Sequence, residues 1–300
     1  MRLELRKSTS SCLIEAGSKC FRRRERIDAH HHLWKYNAGE YAWIDDSMRV
    51  LQRDFLPADL EDILQSAGVA GAIAVQARQS LEETNWLLSL AAESSVIRGI
   101  LGWAPIASRE FEAQLASLLT HTRLKGLRHL IQAEPDDNYI LRDDFNRGIS
   151  AMLPSGLVFD ILILEKHLPQ AIAFVDRHPN QVFVLDHIAK PAISRKEMEP
   201  WRSNILKLAE RSNVYCKVSG MATEANWNSW SEADLRPFWD TVLAAFGPQR
   251  LLFGSDWPVC LVASSYIRWF TIVDRWASEL SADEQECVLG ATASEVYRLS

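Results

Sequence analysis

From residue 26 onward the chain alternates two hydrophobic patterns. Short apolar runs, rich in β-branched residues, occupy 27–34, 69–77, 97–106, 124–132, 157–164, 181–190, 214–220 and 250–258. Between them lie longer amphipathic stretches at 57–67, 80–94, 108–121, 143–153, 167–178, 200–211 and 234–246, with a last helical region over 263–299. Apolar runs of strand length predict strands buried on both faces, and the helical period predicts helices laid over them. Local signals agree. Pro57 precedes an acidic first turn, Ser80 and Glu83 have the spacing of a capping box, and Gly68 and Gly247 stand where helices stop. Eight strand–helix pairs in one uninterrupted series predict a single-domain α/β protein, a (β/α)8 TIM barrel. The alternative, a doubly wound open sheet, lacks a GxGxxG after its first strand.

Composition leaves that picture standing and adds charge. The 300 residues are 47% hydrophobic and 24% charged, which excludes disordered and fibrous classes. The formal charge of -6 is unevenly spread. Residues 1–26 hold eight Lys or Arg against three Glu, a net of +5, so the remainder carries -11. That basic segment, which includes Arg22-Arg23-Arg24, is expected to be a poorly ordered extension, with the barrel over 27–300. An acidic body gives no support for nucleic acid or an anionic membrane as a partner. No apolar run reaches the roughly 20 residues that span a bilayer, and the first 26 residues lack a signal-peptide core. The five cysteines (12, 20, 216, 260 and 287) are odd in number, scattered and without a CxxC pair, so the expected setting is a reducing cytoplasm. The expected partner is a small molecule, with a homo-oligomer left open. Of 11 tryptophans, Trp34, Trp43, Trp103 and Trp257 fall near the predicted barrel mouth, where an indole can stack on a sugar-like ring. Trp86, Trp201, Trp239, Trp269 and Trp276 fall at helical spacing and are expected to pack.

Chemistry in such a barrel lies at the C-terminal ends of the strands. In Asp28-Ala29-His30-His31-His32 the strand period puts His30 and His32 on one face and His31 on the other. Two imidazoles on one face suit a metal ion or the polarisation of a substrate oxygen. The sixth run ends Val184-Leu185-Asp186-His187 and the eighth ends Phe253-Gly254-Ser255-Asp256. A carboxylate ending a buried run needs a partner, because an isolated buried charge is costly. The topology brings His30, His32, His187 and Asp256 to one mouth.

These segments resemble the lactonase-containing branch of the amidohydrolase superfamily. The resemblance rests on Asp28-x-His30-x-His32-x-Trp34, Leu185-Asp186-His187-x-x-Lys190-Pro191 and Phe253-Gly254-Ser255-Asp256-Trp257-Pro258-Val259-Cys260. Val75-Gln76-Ala77, Gly102-Trp103, Lys125-Gly126-Leu127-Arg128-His129 and Cys216-Lys217-Val218-Ser219-Gly220 fit it too, in unbroken order over about 26–299. One departure is Gly290-Ala291-Thr292-Ala293, where many relatives have Gly-Asn-Ala. The resemblance implies a hydrolase that opens a sugar-acid lactone, as L-fuconolactonases do, with Asp256 as general base. His30, His32 and His187 would polarise the carbonyl, either directly or through one divalent ion, zinc foremost, held by them and Asp256. Strands four and five lack the bridging Lys or Glu and the His of binuclear members, so a two-metal site is not implied. The resemblance further implies that Arg128, His129 and Lys217 hold substrate oxygens, with Gln76 and Trp103 in the site wall and Lys190 orienting the His187 loop. A structural ion pair, for example with Asp160, is the other reading of those three residues. Two other functions stay open: a metal-dependent amidohydrolase or decarboxylase of the same superfamily, and a catalytically idle barrel that binds a small molecule.

Overall fold

The computed structural model describes residues 25–299. Eight parallel strands follow one another in sequence order: β1 Ile27–His31, β2 Gly71–Val75, β3 Ile97–Gly102, β4 Leu124–Leu130, β5 Val158–Leu162, β6 Phe183–Leu185, β7 Val214–Val218 and β8 Leu251–Phe253. The helices between them are α1 Pro57–Ala67, α2 Leu81–Glu93, α3 Phe111–Leu118, α4 Asp143–Met152, α5 Leu168–Arg177, α6 Trp201–Ala209 and α7 Glu232–Phe246. After β8 come α8 Tyr266–Ala277, α9 Ala282–Glu286 and α10 Thr292–Val296. The backbone after β8 closes the barrel onto β1. Asp256 N–H donates to the His30 carbonyl at 2.8 Å, and His32 N–H donates to the Trp257 carbonyl at 2.7 Å. Beneath this seam the Asp28 carboxylate accepts the backbone N–H groups of His30, at 3.1 Å, and Ser255, at 2.8 Å. This is the (β/α)8 barrel that the alternating pattern predicts.

Two cores hold it. The larger lies between strands and helices and takes in the buried Leu60, Leu87, Phe145, Trp201, Trp239, Trp269 and Trp276, so most of the indoles at helical spacing do pack. The smaller fills the barrel with Ile27, Ala29, Ile73, Val75, Leu101, Val158, Val184 and Leu252, and is capped by Ala293, Val296 and Tyr297. Burial of this kind supplies about 25 cal/mol per Å² of apolar surface, and it stops the barrel from being a pore. The opposite, C-terminal end stays open to a site.

Several boundaries differ from expectation. β6 and β8 stop at Leu185 and Phe253, so the polar ends of those runs lie in irregular backbone. The last helical region breaks into three. The Ser80 cap forms, accepting Glu82 and Glu83 N–H. The Glu83 carboxylate, however, turns to the backbone of Ala77 and Arg78 instead of completing a box. Gly68 takes φ 66°, a left-handed helix stop that glycine makes without steric cost. Of the basic segment, residues 1–24 lie outside the described residues. Arg26 pairs with Asp274 at 2.7 Å and lies over the Phe270 ring. Among the described residues no helix is long and apolar enough to cross a membrane.

Candidate active site at the barrel mouth

Regular alternation along β1 would bring the wrong histidine inside. Ile27 and Ala29 face the barrel interior, so an unbroken period of two would send His31 after them. Between Asp28, opposite Ala72, and His31, opposite Ala74, β1 carries one residue more than β2. This β-bulge turns His30 and then His32 inward. His31 is left buried, with neither ring nitrogen partnered among the described residues. Burial pushes its pKa down to about 3, so it is neutral.

The inward pair meets Asp256. His32 Nδ1 lies 2.8 Å from the Val75 carbonyl, which only an N–H can satisfy, so in the neutral ring Nε2 carries the lone pair. That nitrogen stands 3.2 Å from His30 Nε2 and 3.4 Å from Asp256 Oδ1. His30 Nε2 in turn lies 3.2 Å from an Arg128 NH1 donor and 3.8 Å from Asp256 Oδ1. His187 completes the group, its ring centroid 4.5 Å from that of His30 and its Nδ1 2.9 Å from Ser219 Oγ. Burial holds His30 and His32 below the ordinary imidazole range and pushes His187 down to about 4. Burial would raise the Asp256 carboxyl, but the His187 and His32 rings and the Lys190 ammonium outweigh it, and the group sits below its ordinary value.

Local backbone puts two of these groups in place at a cost. Asp256 has φ 57°, and His187, Ile188, Ala189 and Lys190 have φ 52°, 50°, 63° and 48°. A left-handed residue other than glycine costs about 1–2 kcal/mol, and a β-branched one such as Ile188 is rarer still. Packing fixes the turn: the Trp201 indole donates to the Ile188 carbonyl at 2.7 Å, and Lys190 N–H donates to the His187 carbonyl at 2.8 Å. Gly220, at φ 64°, makes room for the ring, because a Cβ there would lie 2.7 Å from His187 Nδ1.

Below the histidines runs a buried ion network. Lys217 is completely buried, donates to Asp160 and lies 3.0 Å from Asp186 Oδ1. Asp186 also takes Arg128 NH1 at 2.9 Å and stands 3.3 Å from His30 Nδ1. Against the cost of burial, the Lys217 ammonium and the His30 ring hold Asp186 well below the carboxylate range. Tyr297 closes the chain from below, donating to Asp160 Oδ1 at 2.9 Å. For Lys217 the arrangement is the structural ion pair.

A cavity of about 200 Å³ opens over the cluster, and its lining includes His32, Arg128, His187, Lys190 and Asp256. Trp43, Leu130, Leu162 and Val259 line it as well. The structure thus brings His30, His32, His187, Asp256 and Arg128 together. It does not bring His129, Gln76, Trp103 or Lys217 to the cavity wall. Strand alternation explains His129: Arg128 points in, so His129 points out, where it pairs with Glu134 at 2.6 Å and stacks on Tyr139. Trp103 follows it, donating to His129 Nδ1 at 3.3 Å, and Gln76 is buried against the Arg128 carbonyl. Trp34 and Trp257 are buried, and of the mouth indoles Trp43, 40% exposed, lines the cavity. Lys190 at the wall was legible only as a loop-orienting residue, since nothing in a Lys-Pro pair announces a left-handed turn. A second hollow, of about 210 Å³, is lined by Glu40, Tyr41, Arg78 and Glu83 among others. Four of its polar groups pair with one another, Arg78 with Glu40 and Tyr41 with Glu83.

One ligand atom from each of His30, His187 and Asp256 lies within 4.8 Å of the others, a donor set that a single divalent ion fits. With Val75 holding the Nδ1 proton of His32, its Nε2 carries a lone pair beside His30 and Asp256 and has no proton of its own to offer.

Known proteins match this chain closely. The Amidohydrolase family profile covers residues 27–299. An L-fucono-1,5-lactonase of Burkholderia multivorans is 41% identical over 285 residues, which span 91% of this chain and 96% of that protein. An L-fucono-1,5-lactonase of Burkholderia ambifaria is 35% identical over 281 residues, spanning 91% and 96%. The crystal structure of an amidohydrolase from Burkholderia multivorans with bound zinc aligns with a TM-score of 0.89 at 40% identity, covering 92% of this chain and 100% of that one. The chain belongs to the Amidohydrolase family.

Proposed function

We propose that the protein hydrolyses a sugar-acid lactone, of the class that its L-fucono-1,5-lactonase relatives are named for. The observation that carries this reading is the Asp256 carboxylate beside the unprotonated His32 Nε2 at a cavity lined by both polar and apolar side chains. Asp256 is the general base. It takes a proton from water as the water oxygen attacks the lactone carbonyl, and later gives that proton to the ring oxygen as the C–O bond breaks. A positioned carboxylate of this kind contributes about 10² to 10⁴ in rate. His30, His32 and His187, neutral at pH 7, orient the carbonyl and the water, and the Lys190 ammonium helps keep Asp256 ionised. With zinc bound, His30, His187 and Asp256 would hold it, with His32 beside them, and the ion would supply Lewis-acid polarisation of the carbonyl. Trp43, Leu130, Leu162 and Val259 suit the less polar face or a methyl end of a deoxy-sugar lactone. The test is a pH-indicator assay across sugar-acid lactones, run after chelation and again with added zinc. Proton release with six-carbon aldonolactones supports the reading. Turnover of amide or aromatic-acid substrates instead, with none of any lactone, replaces it with another hydrolytic or decarboxylating reaction.

A further inference from the structure

Three cations stand at or beneath the cavity, and two are committed to the protein itself. Lys217 is sealed between Asp160 and Asp186. Arg128 gives NH1 to Asp186 and His30, and NH2 to the Gln76 carbonyl. Lys190 differs. Its side chain lines the cavity, and its nearest acidic neighbour among the described residues, Glu224, lies 3.9 Å away, beyond hydrogen-bond distance. The backbone that places it is the left-handed turn of four residues, none of them glycine, that also places His187. Residues three apart in a turn this tight eclipse one another, so His187 and Lys190 share a side. That strain persists only because the Trp201 indole and the buried Ile188 over-determine the turn.

We propose that Lys190 is a catalytic residue, its ammonium contacting the lactone's carbonyl oxygen as that oxygen becomes the oxyanion and then part of the product carboxylate. This rests on the lactonase reading. The charges follow the bonds. As the water oxygen bonds to the carbonyl carbon, the π pair moves onto the carbonyl oxygen and Asp256 takes the water proton. The site's negative charge thus leaves Asp256 and reappears on the oxyanion. As the oxyanion pair re-forms the C=O bond, the ring C–O bond breaks and its pair stays on the ring oxygen, which takes the proton back from Asp256. The new carboxylic acid then releases its remaining water-derived proton to solvent and becomes the carboxylate. Lys190 keeps all three N–H bonds throughout. Within Coulomb reach of Asp256 in the resting site, it faces the oxyanion after the charge has moved. It therefore favours the transition state and the ring-opened anion over the neutral lactone.

The test uses the zinc-supplemented full chain and its Lys190→Met and Lys190→Arg variants. Steady-state kinetics on a responsive lactone are combined with calorimetric binding of the corresponding ring-opened acid, which needs no turnover. Loss of one charged oxyanion donor lowers kcat about 10²-fold in Lys190→Met, while KM stays within about threefold. Affinity for the ring-opened acid falls about tenfold, as expected on losing one charge-assisted hydrogen bond, and Lys190→Arg recovers most of both. Thermal melting confirms that the variants fold, with Lys190→Gln replacing any Met variant that does not. A folded neutral variant with unchanged kcat and unchanged acid affinity overturns the assignment of Lys190. A wild type that opens no lactone overturns the reading beneath it.

Discussion

His30 takes its orientation mostly from groups buried beneath the cavity. Asp186 and Lys217 flank its Nδ1, Arg128 faces its Nε2, and the Asp160–Tyr297 pair anchors Lys217 in turn. Within this network charge is balanced two against two, Lys217 and Arg128 against Asp160 and Asp186. Breaking such a buried set from one side costs about 3–5 kcal/mol, because the partner is left uncompensated. Lys217→Met is therefore expected to lower the urea unfolding free energy by that amount, and Lys217→Met/Asp160→Asn to recover much of it. Unchanged stability with a raised KM would restore Lys217 to the substrate. The sequence offered both readings of Lys217, and burial separated them. His129 was misleading for a plain reason: adjacent strand residues face opposite ways, and only the bulge-free register of β4 against β5 says which of Arg128 and His129 points in.

At the scale of elements, the eight strands and their helices were legible because burial on both faces writes a strand as an apolar run. What the pattern could not reveal is where backbone leaves the regular menu. The extra residue in β1 decides that His30 and His32, not His31, enter the barrel, and Ile27 and Ala29 by themselves point the other way. Equally hidden is the turn at 187–190, since positive φ at His, Ile, Ala and Lys has no compositional signature. Gly220 is the element-level test. Its φ of 64°, and the 2.7 Å that would separate an added Cβ from His187 Nδ1, leave no room for alanine. Gly220→Ala is expected to lose about 1–2 kcal/mol to backbone strain alone and to displace the imidazole, so that kcat falls with stability. Full activity in that variant would mean that the His187 position does not matter to turnover.

The whole molecule adds a pH dependence that its net charge does not predict. Glu83 is buried behind the cavity wall, accepting Ala77 N–H at 3.0 Å and Arg78 N–H at 2.8 Å. Burial pushes its carboxyl up from 4.5 to about 7. The folded protein therefore binds this proton more tightly than the unfolded chain does. Its stabilising contribution is complete below the unfolded value and is lost as pH rises through 7. Between pH 5 and pH 8 the wild type is expected to lose about 2–3 kcal/mol relative to Glu83→Gln, read from urea midpoints at the two pH values. Parallel pH curves would show that Glu83 titrates normally in the fold.

In a barrel plugged by Tyr297 at one end, with His32, His187 and Asp256 lining the cavity at the other, the proposed lactone opening turns on the Asp256 carboxylate. The most direct measurement is the initial rate of lactone opening by wild type and Asp256→Asn in the same indicator assay, at matched zinc. Measurable wild-type turnover is expected, with a loss of about 10² to 10⁴ in kcat for the asparagine variant. Asparagine protein that turns over at the wild-type rate would contradict it.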